Sequence, residues 1–261
     1  MTRIFVSGSA DGLGRMAGEY LLERGHSVTF HVRDAGRADD LRRKLNQDGE
    51  NASHKIVIGD VSTIAAMRDV ADQVNRIGRH DAVIHNVAIG YREPNRSETE
   101  DGLSRLFAVN TLAPYLLTAL IEKPRRLAYL SSGLHRGGDP ELRDPQWNAR
   151  RWNGTQAYSD SKLQDCWLAF GVARRWRDVL SNALEPGWVA TKMGGPGAPD
   201  DLEKGAITQA WLAVSDDEAA KVSGGYFFHQ KQKAPSADAR RTDLQDKLLD
   251  YCKELTGVEI A

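Results

Sequence analysis

Tyr158-Ser159-Asp160-Ser161-Lys162 sets a phenol and an ammonium four residues apart. On a helix, that spacing brings both side chains to one face. A fixed positive charge beside a phenol favours the phenolate, so the phenol exchanges its proton nearer neutral pH than an isolated tyrosine does. The same spacing also occurs on solvated helix surfaces. The pair gains meaning only if the surrounding elements build a site around it.

Those elements alternate along the chain. Short apolar runs at Ile4–Ser7, Val28–Val32, His54–Ile58, Asp81–His85, Leu127–Ser131, Leu180–Leu184 and Gly225–Phe228 read as seven strands. Helical patterns lie between them at Gly14–Arg24, Asp39–Leu45, Ile64–Ile77, Leu103–Leu120, Ala157–Trp176 and Leu202–Val214, and a last one covers Asp243–Leu255. This alternation predicts an α/β fold, a doubly wound parallel sheet with helices on both faces. The 261 residues fit one domain, and 41% hydrophobic content is enough to bury such a sheet. Residues 235–261 read as a helical extension that packs on the domain. His135–Gln156 shows no clean period and reads as a long loop, and long loops in compact domains are often functional.

A net charge of −1 gives no ground for a nucleic-acid partner, and the pairs Arg125-Arg126 and Arg174-Arg175 read as solvated. Cys166 and Cys252 have no second ligand at metal spacing, so neither a metal site nor a disulfide framework is expected. The chain opens directly on a strand and has no apolar run of membrane-spanning length. A cytoplasmic protein is expected.

Ser7-Gly8-Ser9-Ala10-Asp11-Gly12-Leu13-Gly14 links the first strand to the first helix. Gly8 permits the tight turn, Gly12 lets backbone approach a pyrophosphate, and Gly14 allows close helix packing. The helix start then offers free N–H groups to phosphates. A glycine cluster alone fits any tight turn, but a strand before it and a helix after it point to a dinucleotide.

The spacing Gly-x-x-x-Gly-x-Gly, together with Tyr158 and Lys162, resembles the short-chain dehydrogenase/reductase family over about residues 3–230. The resemblance implies a Rossmann-like fold and a nicotinamide cofactor held by Gly8, Ser9, Asp11, Gly12, Leu13 and Gly14. It places an acid for the ribose 2′-hydroxyl at about Val32, which cannot accept a hydrogen bond. Arg33 follows and could pair with a 2′-phosphate, so NADP(H) is favoured over NAD(H). Asp11 and Asp34 complicate that reading. Asp60 is expected to accept from the adenine amino group and Val61 to touch the ring, although Asp60 could instead cap a helix, a role that Ser62 could also fill. Asn86 is expected to tie neighbouring strands, while Val87 and Ala88 pass the cofactor ribose.

By the same resemblance, Tyr158 is the general acid or base, and Lys162 lowers its pKa and binds the nicotinamide ribose. Ser132 holds the substrate oxygen, with Ser131 as competitor. Asn110 holds a water that links Lys162 to solvent. Pro186, Gly187, Val189 and Thr191 hold the carboxamide of the nicotinamide. The implied reaction is hydride transfer between nicotinamide and a carbonyl or secondary alcohol. An isomerase or lyase on the same fold, or an NADP-sensing regulator without turnover, are the alternatives.

Between Ser132 and Tyr158 lie 25 residues, a longer spacer that resembles the retinol-dehydrogenase-like and carbonyl-reductase-like branches. It is expected to wall or cover the substrate pocket and to favour a monomer or homodimer over a tetramer. Tyr91, Leu134, Trp152, Trp188 and Met193 are candidate pocket lining.

Overall fold

Residues 1–45 and 53–261 are described by a computed structural model of the chain. The strands β1 Arg3–Val6, β2 Ser27–Val32, β3 His54–Ile58, β4 Ala82–His85, β5 Arg126–Leu130, β6 Leu180–Glu185 and β7 Tyr226–Phe228 pair in parallel. An eighth strand, β8 Lys231–Lys233, adds antiparallel at the edge, in the order β3-β2-β1-β4-β5-β6-β7-β8. Successive residues of one strand feed opposite cores, as expected for strands covered on both faces. Ile4 and Val6 join one hydrophobic cluster, and Phe5 joins the other.

The cluster with Ile4 and Val6 is closed by α1 Gly12–Glu23, α2 Ala35–Leu45 and α7 Leu202–Val214. The opposite cluster is closed by α3 Ile64–Ile77, α4 Arg105–Phe107, α5 Ala113–Leu120, α6 Gly154–Arg175 and α8 Thr242–Thr256. Between α4 and α5, Ala108–Leu112 form a π-helical turn that carries Asn110. α8 lies on α6 at Gly171, where a side chain would meet Leu249 Cδ1 at 2.9 Å. Helix α6 is buried without a break from Ala157 to Val172.

The expectation of seven strands is corrected to eight. β8 is Lys-Gln-Lys, fully exposed, so it has no apolar alternation to read. The two residues joining it to β7, His229 and Gln230, both have positive φ (48° and 62°), the backbone of a two-residue hairpin. Neither is the asparagine or glycine that usually announces such a turn. Thr63, not Ser62 or Asp60, caps α3, its side chain accepting from Ala66 N at 3.2 Å.

Candidate active site

Strand order reverses between β1 and β4, which opens a crevice at the carboxyl ends of the strands. The glycine turn sits at its edge. Gly8 and Gly12 have φ of 62° and 54°, and a side chain on Gly8 would meet Val87 Cα at 2.7 Å. Asn86 locks this corner, donating from Nδ2 to Ser7 O (3.1 Å) and Gly8 O (2.9 Å). Gly14 abuts that same side chain, so a Cβ there would collide with it. Ser9 is buried, and its hydroxyl serves the fold by donating to Val6 O and accepting from His31 N.

His31 is a residue that the sequence did not single out. Its Nδ1 accepts from Gly8 N at 3.0 Å and its Nε2 bridges to Gly59 O at 2.9 Å. This pairing requires the neutral tautomer with the proton on Nε2. Burial lowers the His31 pKa and keeps the ring neutral. The imidazole thereby ties the glycine turn to the end of β3. No periodicity distinguishes such a histidine from an ordinary core residue.

Asp11 caps α1 by accepting from Gly12 N at 2.9 Å, and it also pairs with Lys192 from the far wall of the crevice. Lys192 and the Gly12 N–H hold the Asp11 carboxyl below the usual carboxylate range. Beyond it, Ala10, Asp11, Asp34, Gly36, Arg37, Asp40, Lys44 and Lys192 line a shallow recess. Arg33 lies next to that recess, half-exposed, with Nε 3.5 Å from Asp34 Oδ2, and Arg37 Nε is 3.7 Å from the same oxygen. Asp60 is exposed at the end of β3, and Val61 beside it is buried.

A cleft of about 1040 Å³ runs from Gly8, Asp11, Gly12 and Leu13 past Val87 and Ala88 to Ser132, Tyr158 and Lys162. Both Ser131 and Ser132 line this cleft, and their hydroxyls have different partners. Ser131 is buried, and its hydroxyl donates to Lys162 O at 2.7 Å. Ser132 Oγ accepts from Leu134 N at 3.3 Å, and its side chain lies near enough to Tyr158 to pull the phenol pKa down. Lys162 Nζ lies 5.6 Å from the Tyr158 ring centre and donates to Leu130 O and to Asp165 Oδ2, both at 2.8 Å. Asn110 Oδ1 accepts from Ile89 N (2.7 Å), while Nδ2 donates to Ile89 O (3.0 Å) and Ser161 Oγ (3.1 Å). The Asn110 side chain thus fastens the loop after β4 to α6 and makes no direct hydrogen bond to Lys162.

Lys162 pulls the Tyr158 pKa down, as expected, but it does not set the net direction. Burial raises the phenol pKa and outweighs the opposing pull of Lys162 and Ser132. Tyr158 is only 7% exposed, with Tyr91 edge-on at 5.8 Å.

The far wall is Pro186–Met193. Gly187 has φ 86° and lies against Asp200, whose Oδ2 accepts from Trp188 N at 2.6 Å. Thr191 Oγ1 accepts from Gly194 N at 3.2 Å. Of the pocket candidates, Tyr91, Leu134, Trp188 and Met193 line the cleft, but Trp152 does not. It packs edge-on to Trp147 behind Tyr158 and donates to Glu93 O at 2.9 Å. The 135–157 segment likewise backs Tyr158 and does not cover the cleft. Asp160 anchors it, accepting from Asp139 N, Trp147 Nε1, Arg150 Nη2 and Gln156 Nε2 at 2.8–3.2 Å. Glu185, not foreseen from sequence, lines the cleft beside Gly133, and burial raises its carboxyl pKa.

The sequence pattern of the short chain dehydrogenases matches residues 2–124. An oxidoreductase of Emericella nidulans is 40% identical over 268 residues, covering 100% of this chain and 99% of that protein. Human retinol dehydrogenase 13 is 30% identical over 287 residues, covering 98% and 85%. A crystal structure of an uncharacterized protein from Mycobacterium paratuberculosis shares the fold with a TM-score of 0.85 at 23% identity, covering 100% and 95%. Fold and relatives together place the chain among a family of oxidoreductases built on a Rossmann-like sheet. The chain belongs to the short-chain dehydrogenase family.

Proposed function

We propose that this protein is an NADP(H)-dependent oxidoreductase that interconverts a carbonyl and a secondary alcohol of a small organic substrate. The observation that carries the reading is the meeting of Ser132, Tyr158 and Lys162 in one cleft that starts at the glycine turn. The residues present fit a dinucleotide. The corner at Gly8 has no room for a side chain, the start of α1 at Gly12 and Leu13 lines the cleft, and the cleft is continuous to Thr191. When bound, the nicotinamide supplies or accepts the hydride.

The chain's own residues do the rest. Tyr158 gives its phenolic proton to the substrate oxygen in reduction and takes it back in oxidation. Ser132 hydrogen-bonds that oxygen as charge develops on it. Lys162 holds the ribose and fixes the field at the phenol. Asn110 braces α6 beneath them and carries the route for protons from solvent. Pro186, Gly187, Val189 and Thr191 hold the carboxamide, with Gly187 and Trp188 fixed by Asp200. Tyr91, Leu134, Trp188 and Met193 offer an apolar bed for the substrate, and Leu134 and Trp188 are open to solvent at its mouth.

NADP(H) is preferred over NAD(H) because Val32 provides no carboxylate for a 2′-hydroxyl, while Arg33 and Arg37 flank Asp34 next to the recess. Ser9, Asp60, Val61, Asn86, Val87 and Ala88 complete the cofactor side. The two cysteines are free and buried, in keeping with a reducing cytoplasm. No helix among the described residues is long and apolar enough to cross a membrane. α8 covers α5 and α6, as where Tyr115 Oη donates to Val258 O at 2.6 Å beyond the end of α8, and this favours a monomer or homodimer.

The test is a panel of ketones, aldehydes and alcohols followed by nicotinamide absorbance with either cofactor. NADPH is expected to give the larger kcat/KM, and Arg33→Ala to remove most of that preference, about 1.5–3 kcal/mol. A clear NADH preference in the wild type contradicts the cofactor assignment. Product formed with no net nicotinamide change points instead to an isomerase or lyase.

A further inference from the structure

Helix α6 buries an ion pair one turn beyond Tyr158. Lys162 and Asp165 are each 2% exposed, and Lys162 Nζ donates to Asp165 Oδ2 at 2.8 Å. A second ammonium proton goes to Leu130 O, also at 2.8 Å, at the end of β5. An ammonium has three protons, so one is left for the cleft that Lys162 lines. Burying a carboxylate in this position is costly unless it is paired and its partner is fixed. Asp165 lies outside the cleft lining and touches the site only through Lys162.

We propose that Asp165 is a positioning residue for the catalytic pair. Its carboxylate clamps the Lys162 ammonium against the end of β5 and cancels much of its field at Tyr158. The phenol is thereby kept protonated at neutral pH, the form that can give a proton to a substrate oxygen in carbonyl reduction. In that direction the substrate carbon gains a hydride from the reduced nicotinamide and the oxygen gains the Tyr158 proton. The C=O becomes an alcohol, the cofactor is oxidised, and the phenolate is reprotonated from solvent.

The other ionisable groups around the pair are neutral near pH 7. On α6 these are Tyr158 and Cys166, whose thiol burial pushes up to about 12. On β5 it is Tyr129, raised by burial, with a hydrogen bond to Thr118. His85, stacked on Tyr129 at 4.6 Å from β4, is held neutral by burial. The exception is Arg240, from the connector before α8, a cation that acts on Cys166. Asp165 is therefore the anion that faces Lys162. Burial pushes its carboxyl up to about 6 against the pull of Lys162, which leaves it ionised at neutral pH. Burial opposes the Lys162 charge, but Asp165 and Tyr158 outweigh it and hold the ammonium protonated.

The catalytic half of this inference rests on the proposed carbonyl–alcohol chemistry, and the electrostatic half does not. The test is an NMR titration of the cofactor-free protein with tyrosines labelled by 13C at Cζ, the Tyr158 signal being the one lost in Tyr158→Phe. Asp165→Asn is expected to lower the Tyr158 midpoint by about one pH unit or more, because the Lys162 charge is then unopposed. Asp165→Ser must move it the same way, and Asp165→Glu must restore it towards wild type. A midpoint unmoved or raised in both charge-removing variants overturns the proposal. If neither folds, the wild type decides: its Tyr158 signal must carry a step as Asp165 titrates near pH 6, and a flat response there overturns it. None of these readouts needs substrate, so they stand even if no carbonyl is turned over. Where turnover exists, the acid limb of alcohol oxidation moves to lower pH in Asp165→Asn with KM unchanged.

Discussion

Ser131 and Ser132 are chemically identical neighbours with opposite fates. The Ser131 hydroxyl is spent donating a hydrogen bond to the Lys162 carbonyl, while the Ser132 side chain acts on the phenol and lowers its pKa. Ser132→Ala is therefore expected to lower kcat by about a hundredfold or more with little change in KM for the cofactor. Ser131→Ala should leave kcat within a few fold and instead lower the melting temperature, because a buried acceptor loses its donor. Steady-state kinetics beside thermal unfolding separates the two, and a larger kcat loss in Ser131→Ala reverses the assignment. Sequence alone could rank these serines only by resemblance, since which hydroxyl is spent on the Lys162 carbonyl depends on how β5 ends against α6. The same holds for the phenol. Its spacing from Lys162 was legible, but the burial that dominates its pKa and the carboxylate three residues beyond Lys162 act through space. Asp165 has no period or motif to mark it.

At the level of elements, the 135–157 segment depends on one buried side chain. Asp160 is 4% exposed and gathers four donors, one of them the Arg150 guanidinium that also stacks on Trp147 at 3.9 Å. Asp160→Asn is expected to cost about 2–4 kcal/mol in urea unfolding, because it leaves Arg150 without that anion and turns acceptors into donors. Limited proteolysis should then cut first within 135–157, and unchanged stability with unchanged cleavage contradicts the anchoring role. The segment's length was readable, but its side of Tyr158 was not. It packs on Tyr158's own helix through Asp160, a residue lying between Tyr158 and Lys162 and easily passed over there. Core strands and helices were legible because apolar period and breakers agree in each. β8 failed because its side chains are all polar and its turn uses unusual residues.

Across the whole molecule, four buried histidines set the response to acid. Burial lowers His31 and His135, brings His80 to about 4 and brings His85 to about 3. The unfolded chain binds these protons at higher pH than the folded one. The stability they contribute is therefore complete above about pH 6.5 and is lost as pH falls through the folded values. Asp165 acts in the opposite sense. Its carboxyl is raised to about 6, so its contribution is greatest in acid and is lost as pH rises from about 4 to 6. Glu185, also raised by burial, acts in the same sense as Asp165, but a difference of one in pKa between folded and unfolded chain is worth about 1.4 kcal/mol, so four histidines outweigh two carboxyls. The melting temperature should fall as pH drops from about 6.5 towards about 4.5, and a flat profile across that range contradicts this balance.

All of these parts converge on one proton held by Tyr158 between Ser132 and Lys162. The most direct measurement is to replace Tyr158 by Phe and follow both NADPH binding, by quenching of tryptophan fluorescence, and carbonyl turnover. Binding within about threefold of wild type, with kcat reduced about a hundredfold to ten-thousandfold, is the expected result. Turnover at the wild-type rate in Tyr158→Phe would contradict the account.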